Sequence, residues 1–124
     1  MTVKARRASA KAAKAKATAL HSKIVRARGA CECCGKTLSL QCAHIVSRRY
    51  ARTRTRLDNA FCLCAGCHMH FTEWPMEFAE FVVNRIGAEK YAELRTDAHG
   101  TSKVDWADEV TRLEAVWNEI ERAA

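Results

Sequence analysis

The sequence predicts a mostly helical α+β fold, with a small strand–loop–strand–helix core held by one metal ion and flanked by helices. Three observations carry this. Seven cysteines occur in 124 residues, four of them in two Cys-x-x-Cys pairs. Two short strand-like segments, 38–46 and 58–64, flank a basic loop. From Pro75 onward, apolar residues recur at helical spacing.

Taken in chain order, residues 1–17 (MTVKARRASAKAAKAKA) are of low complexity and have no apolar face. They are expected to form a frayed basic tail. Leu20, Ile24 and Val25 predict a helix over 18–28, with Gly29 free to end it. A thiol-rich turn follows at 31–35. In LSLQCAHIV, Leu38, Leu40, Cys42 and His44 share one strand face, and Gln41, Ala43 and Ile45 share the other. Residues 47–57 read as a loop with five arginines, 58–64 as a second strand, and Ala65 as the start of a helix carrying His68. Pro75 suits a helix start, with Phe78, Phe81, Val82 and Ile86 as its stripe and Gly87 as its end. A short helix over 88–94 comes next. A final helix over about 104–123 would bury Trp106, Val110, Leu113, Val116, Trp117 and Ile120. The expected organisation is a tail (1–17), a metal-stapled core (18–74) and a helical extension (75–124) packed on it as one domain.

The net charge of +7 conceals an asymmetry. Residues 1–72 hold 15 Lys/Arg against two acids, Glu32 and Asp58, whereas 73–124 hold six against 12. A basic first half points to a polyanion, nucleic acid before an anionic membrane surface. No apolar segment is long enough to span a bilayer, and no secretory leader is evident. A cytoplasmic protein is therefore expected. An odd cysteine count without a leader argues for metal ligation rather than disulfides.

Cys31-x-x-Cys34-Gly35 and Cys64-x-x-Cys67 form a pair of knuckles separated by 29 residues. Each turn points two sulfurs at one ion, and two turns complete the tetrahedron of a structural Zn²⁺. Such a closed site has no open position for catalysis. Cys33 and Cys62 are alternative ligands through Cys-x-Cys spacing, and Cys42 reads as a small core residue.

Between the knuckles lie Ala43-His44-Ile45 and Asp58-Asn59, and His68 follows Cys67 directly. This order of His, Asn and His, embedded in Cys-x-x-Cys-Gly … Ala-His-Ile … Asp-Asn … Leu-Cys-x-x-Cys-His, resembles the zinc-containing branch of the HNH nucleases. Phage-encoded members similar to NinG-like recombination proteins look nearest. The resemblance spans roughly residues 18–95. It implies a ββα-metal core, a metal-dependent endonuclease acting on DNA, and a role in phage packaging, recombination or homing beside the proteins of those processes.

Phosphodiester hydrolysis needs an activated water and charge stabilisation at phosphate. A neutral imidazole on a rigid strand accepts a proton near neutral pH, which suits His44 as general base. By resemblance, Asn59 and His68 would hold a catalytic Mg²⁺, Mn²⁺ or similar ion. Many HNH members place a further ligand just before the base, where this chain has Ala43. Asp58 and His70 are candidates to compensate. Arg48, nearest the base, is expected at the scissile or flanking phosphate, with Arg49, Arg52, Arg54 and Arg56 along the backbone. His21 and His99 belong to no motif. Two other classes fit the same composition: a non-catalytic zinc-bound nucleic-acid-binding or recombination accessory protein, and a protein–protein adaptor.

Overall fold

A computed structural model describes all residues, 1–124. The chain runs α1 (Val3–Arg26), β1 (Leu40–His44), α2 (Ala51–Arg54), a 3₁₀ turn (Leu57–Asn59), β2 (Ala60–Cys64), α3 (Ala65–Glu73), α4 (Pro75–Ile86), α5 (Ala88–Ala98) and α6 (Trp106–Ala123). The class is α+β, mostly helical, with one two-stranded antiparallel sheet. The register pairs Leu40 with Cys64, Cys42 with Cys62 and His44 with Ala60. No helix is long and apolar enough to cross a membrane.

The first difference from the sequence reading is at the N-terminus. A single helix runs from Val3 to Arg26, so residues 1–17 are not a separate tail. Ala, Lys and Arg are strong helix formers, and Thr2 caps the helix by accepting from the Ala5 amide at 3.0 Å. The second half of α1 also has a partner that the local pattern does not reveal. Ala17 and Ile24 are buried with Leu113 of α6, and Leu20, Trp106, Val110, Val116, Trp117 and Ile120 pack round them. Lys23 lies 4.1 Å from the centre of the Trp117 ring, and Lys16 pairs with Glu114 at 3.5 Å. The apolar stripe of α6 is thus core, as expected, and it packs chiefly on α1, with Leu57 beside it.

The sheet lies between two layers. Ala43, Phe61 and Leu63 join Val82, Leu94 and Ala98 in the main core, with Phe71, Phe78 and Phe81 packed against it. On the other face, Val25 of α1 packs with Ala60 and Cys62. This explains why every residue of β2 is buried. β1 starts at Leu40 instead of Leu38 because Ser39 takes a positive φ of 54°, which breaks strand geometry. Leu38 is left exposed. The arginine loop is not open: it contains α2 and the 3₁₀ turn, and Asp58-Asn59 belongs to that turn and not to β2.

Candidate active site and metal centre

The two knuckles meet. Cys31 and Cys34 lie in the turn after α1, where Gly35 takes φ +82° and its amide donates to the Cys31 carbonyl at 2.9 Å. Cys64 ends β2 and caps α3: its sulfur accepts from the Cys67 amide at 3.4 Å, and the Cys31 sulfur accepts likewise from Cys34 at 3.5 Å. The four sulfurs lie within 4.8 Å of one another, with Cys34 and Cys64 at 3.7 Å. A tetrahedron with Zn–S near 2.3 Å has edges of about 3.8 Å. The cluster could therefore hold a metal ion such as zinc. Burial pulls the Cys31 thiol upward, but amides of Cys64, Cys34 and Cys33 outweigh this and bring it down to about 6. Cys33 is exposed, and Cys62 is buried among Val25 and Ala60, so neither joins the four.

A second feature lies at the far end of β1. Thr18 and Ser22 of α1, Cys42 and His44 of β1, Ser47 and Arg48 of the loop, and His68 of α3 line one polar cleft of about 330 Å³. His44 is half-buried, and its Nε2–H donates to the Arg54 carbonyl at 2.9 Å. That bond fixes the neutral tautomer and leaves Nδ1 with its lone pair. Burial is the main cause holding the His44 pKa below its ordinary value, with Arg48 and Arg54 adding to it, so the imidazole is neutral at physiological pH. His68 Nδ1–H donates to Gln41 Oε1 at 2.7 Å, which leaves its Nε2 bare. Arg48 is exposed at the rim.

Asn59 departs from the metal-ligand reading. Its side chain is fully buried. Oδ1 accepts from the Val46 amide at 2.8 Å, and Nδ2 donates to the carbonyls of Val46 and Thr53 at 3.1 and 3.0 Å. Every part of the amide that the loop can use is taken, so Asn59 clamps the two ends of the arginine loop and is not available to an ion. Asp58 is likewise engaged, by Arg56 and Lys90, each at 2.7 Å. His70 pairs with Glu77 at 3.1 Å. For a hard divalent ion, the cleft thus offers His68 but no carboxylate, and the expected Asn59–His68 ligand pair does not fit.

The arginines also divide. Arg56 binds Asp58 through two bonds of 2.9 and 2.7 Å and Asp97 at 2.6 Å. Arg52 donates to the Asp97 carbonyl at 2.8 Å and runs so close to Gly100 that a side chain there would displace it. Arg54 reaches Thr18 Oγ1 and the Arg48 carbonyl, both at 2.8 Å. These three hold the loop to α5 and α1, correcting the expectation that they line the phosphate path. Arg48 and Arg49 remain at the surface, Arg49 over the ring of Tyr50. Lys4, Arg6, Arg7 and Lys11 extend the exposed basic surface along α1.

Sequence reasoning missed His21. It is fully buried, donates Nε2–H to the Arg56 carbonyl at 2.8 Å, and stands beside His44 with ring centres 5.1 Å apart. Burial drives its pKa down to about 4. A signal existed: His21 precedes Val25 by four residues and Ile24 by three, on the buried face of α1. Comparison with family models, curated proteins and solved structures returns no match.

Proposed function

We propose that this protein is a zinc-stapled endonuclease that hydrolyses DNA phosphodiester bonds, with His44 as general base. The observation that carries this reading is the state of His44: neutral, its Nε2–H held by a backbone carbonyl, in a polar cleft beside an exposed arginine. A base must keep its lone pair at working pH and be held in place, and both conditions are met. Zinc bound by Cys31, Cys34, Cys64 and Cys67 would fix the end of β2 and the start of α3, and hence the separation of His44 from His68.

Hydrolysis then follows from the cleft's own groups. A water oxygen bonds to phosphorus as its proton passes to Nδ1 of His44. The bond from phosphorus to the 3′-oxygen breaks, and that oxygen takes a proton from solvent. Arg48 binds a non-bridging oxygen of the scissile or neighbouring phosphate. A hard ion such as Mg²⁺ or Mn²⁺, reaching the cleft with the DNA, would supply Lewis-acid charge; the one protein nitrogen free for it is Nε2 of His68. The basic surface of α1 favours DNA as partner, and the role in phage packaging, recombination or homing follows from the sequence resemblance alone.

The test is cleavage of defined duplex and branched DNA by wild type and His44→Ala across Mg²⁺, Mn²⁺ and Ni²⁺. The variant should lose at least about 10²-fold in rate while its DNA affinity stays unchanged. Full activity in His44→Ala, or no cleavage by wild type with any of the three ions, overturns the assignment.

A further inference from the structure

We propose that His21, Cys42 and His44 form a second metal site at the wall of the cleft, one that takes a thiophilic divalent transition ion such as Zn²⁺. One ligand atom from each residue lies within 4.8 Å of the others. The His21 Nδ1 to Cys42 Sγ distance is 3.7 Å. Bond lengths near 2.3 Å for Zn–S and 2.0–2.1 Å for Zn–N place tetrahedral ligand atoms about 3.6 Å apart, so the pair is already spaced for an ion.

The orientation of the two rings supports the same conclusion independently. His21 donates Nε2–H to the Arg56 carbonyl at 2.8 Å, and His44 donates Nε2–H to the Arg54 carbonyl at 2.9 Å. Metal-binding histidines are typically held in this way, with the second nitrogen anchored to a carbonyl or carboxylate so that the first presents its lone pair. The His21 imidazole is preset in this way, its Nδ1 toward the Cys42 sulfur, and the Arg54 carbonyl anchors the His44 ring beside it. His21 is fully buried on a long helix, which makes it a rigid ligand, whereas Cys42 and His44 also line the cleft. Cys42 and His44 open the site to the cleft, so the fourth position of the ion falls to water. One sulfur and two nitrogens select Zn²⁺, Co²⁺ or Cu²⁺ over Mg²⁺ and Ca²⁺. Binding releases the Cys42 thiol proton to solvent and moves no electrons.

The site has a consequence that rests on the nuclease reading given above. A His44 imidazole held by the ion cannot also take the water's proton. A thiophilic ion at His21, Cys42 and His44 would therefore switch off the base, while Mg²⁺ would not enter the site.

Cobalt titration of the reduced, metal-free full-length protein tests this without reference to activity. Two equivalents should bind, the first with the absorption of a four-thiolate site and the second adding a weaker thiolate-to-cobalt band. Cys42→Ser and Cys42→Ala should each keep the first spectrum, which requires the two knuckles to meet and so reports a folded core, and lose the second thiolate band. A single equivalent in wild type, or a second thiolate band that survives in both variants, overturns the site. In a parallel assay, Zn²⁺ should inhibit Mg²⁺-dependent cleavage, and its half-inhibiting concentration should rise at least about 10-fold in Cys42→Ser, each protein being read against its own zinc-free rate. Two equivalents without any cleavage would reject the nuclease reading and leave the site standing. Cleavage with only one equivalent would do the reverse.

Discussion

Replacing Asn59 separates its two possible roles. Asn59→Ala removes three buried hydrogen bonds and leaves the Val46 amide and the Val46 carbonyl without partners, while the Thr53 carbonyl keeps the Arg56 amide at 3.2 Å. A buried polar group left unsatisfied costs about 1–3 kcal/mol, so the two together cost about 2–6 kcal/mol. A domain of this size has about 5–15 kcal/mol in total, so the variant should be marginal. Asn59→Asp should be no better, since it faces two carbonyl oxygens with a buried charge where Nδ2 donated. A hard-ion ligand predicts the opposite, because a carboxylate would tighten binding. The assay is urea denaturation of the zinc-loaded proteins followed by circular dichroism, with Mn²⁺ affinity measured in parallel. An Asn59→Ala variant within about 0.5 kcal/mol of wild type, together with tighter Mn²⁺ binding by Asn59→Asp, would refute the clamp and restore the ligand role.

Cys64→Ser should lose the tightly bound zinc and much of its helical signal, because structural zinc contributes on the order of 10 kcal/mol of apparent binding free energy; a zinc-free variant with wild-type dichroism would contradict this. Stability should be flat above pH 6.5 and fall as pH drops towards 4, since over that range the unfolded chain binds a proton that buried His21 refuses. The fall from 6.5 to about 4 corresponds to about 3 kcal/mol, and His21→Asn should flatten the profile measured by urea titration at several pH values. Arg48→Ala should weaken DNA binding and reduce the slope of log affinity against log salt by about 1. Arg56→Ala should leave that slope unchanged and lower stability by about 1 kcal/mol after solvent screening of its half-exposed partners Asp58 and Asp97. Deleting residues 1–11 should flatten the salt slope while preserving the fold, because the contacts of α1 with α6 begin beyond them; loss of the fold would show that the exposed end of α1 is structural.

What the sequence determined by itself was chiefly what is local or covalently spaced. The four metal-site cysteines were legible because a Cys-x-x-Cys turn sets its own geometry. α4 and α6 were legible because one apolar stripe with its start and stop signals decides a helix without reference to the rest of the chain. His44 and His68 were legible as members of one motif, and the structure lines one cleft with both. What only the tertiary structure decided was which polar groups are already spent. Nothing in an Asn-x₈-His spacing distinguishes an amide facing an ion from one clamping Val46 and Thr53. Nothing in a run of five arginines reveals that Asp97, 41 residues after Arg56, neutralises one and anchors another. The same holds for α1. Its N-terminal half has no apolar face of its own, and its order beyond the first turns depends on α6, nearly 90 residues away, burying Ala17 and Ile24. His21 entered the cluster for that reason: the packing that fixes α1 against β1 carries an unremarked histidine to within hydrogen-bonding reach of a thiol and beside the base.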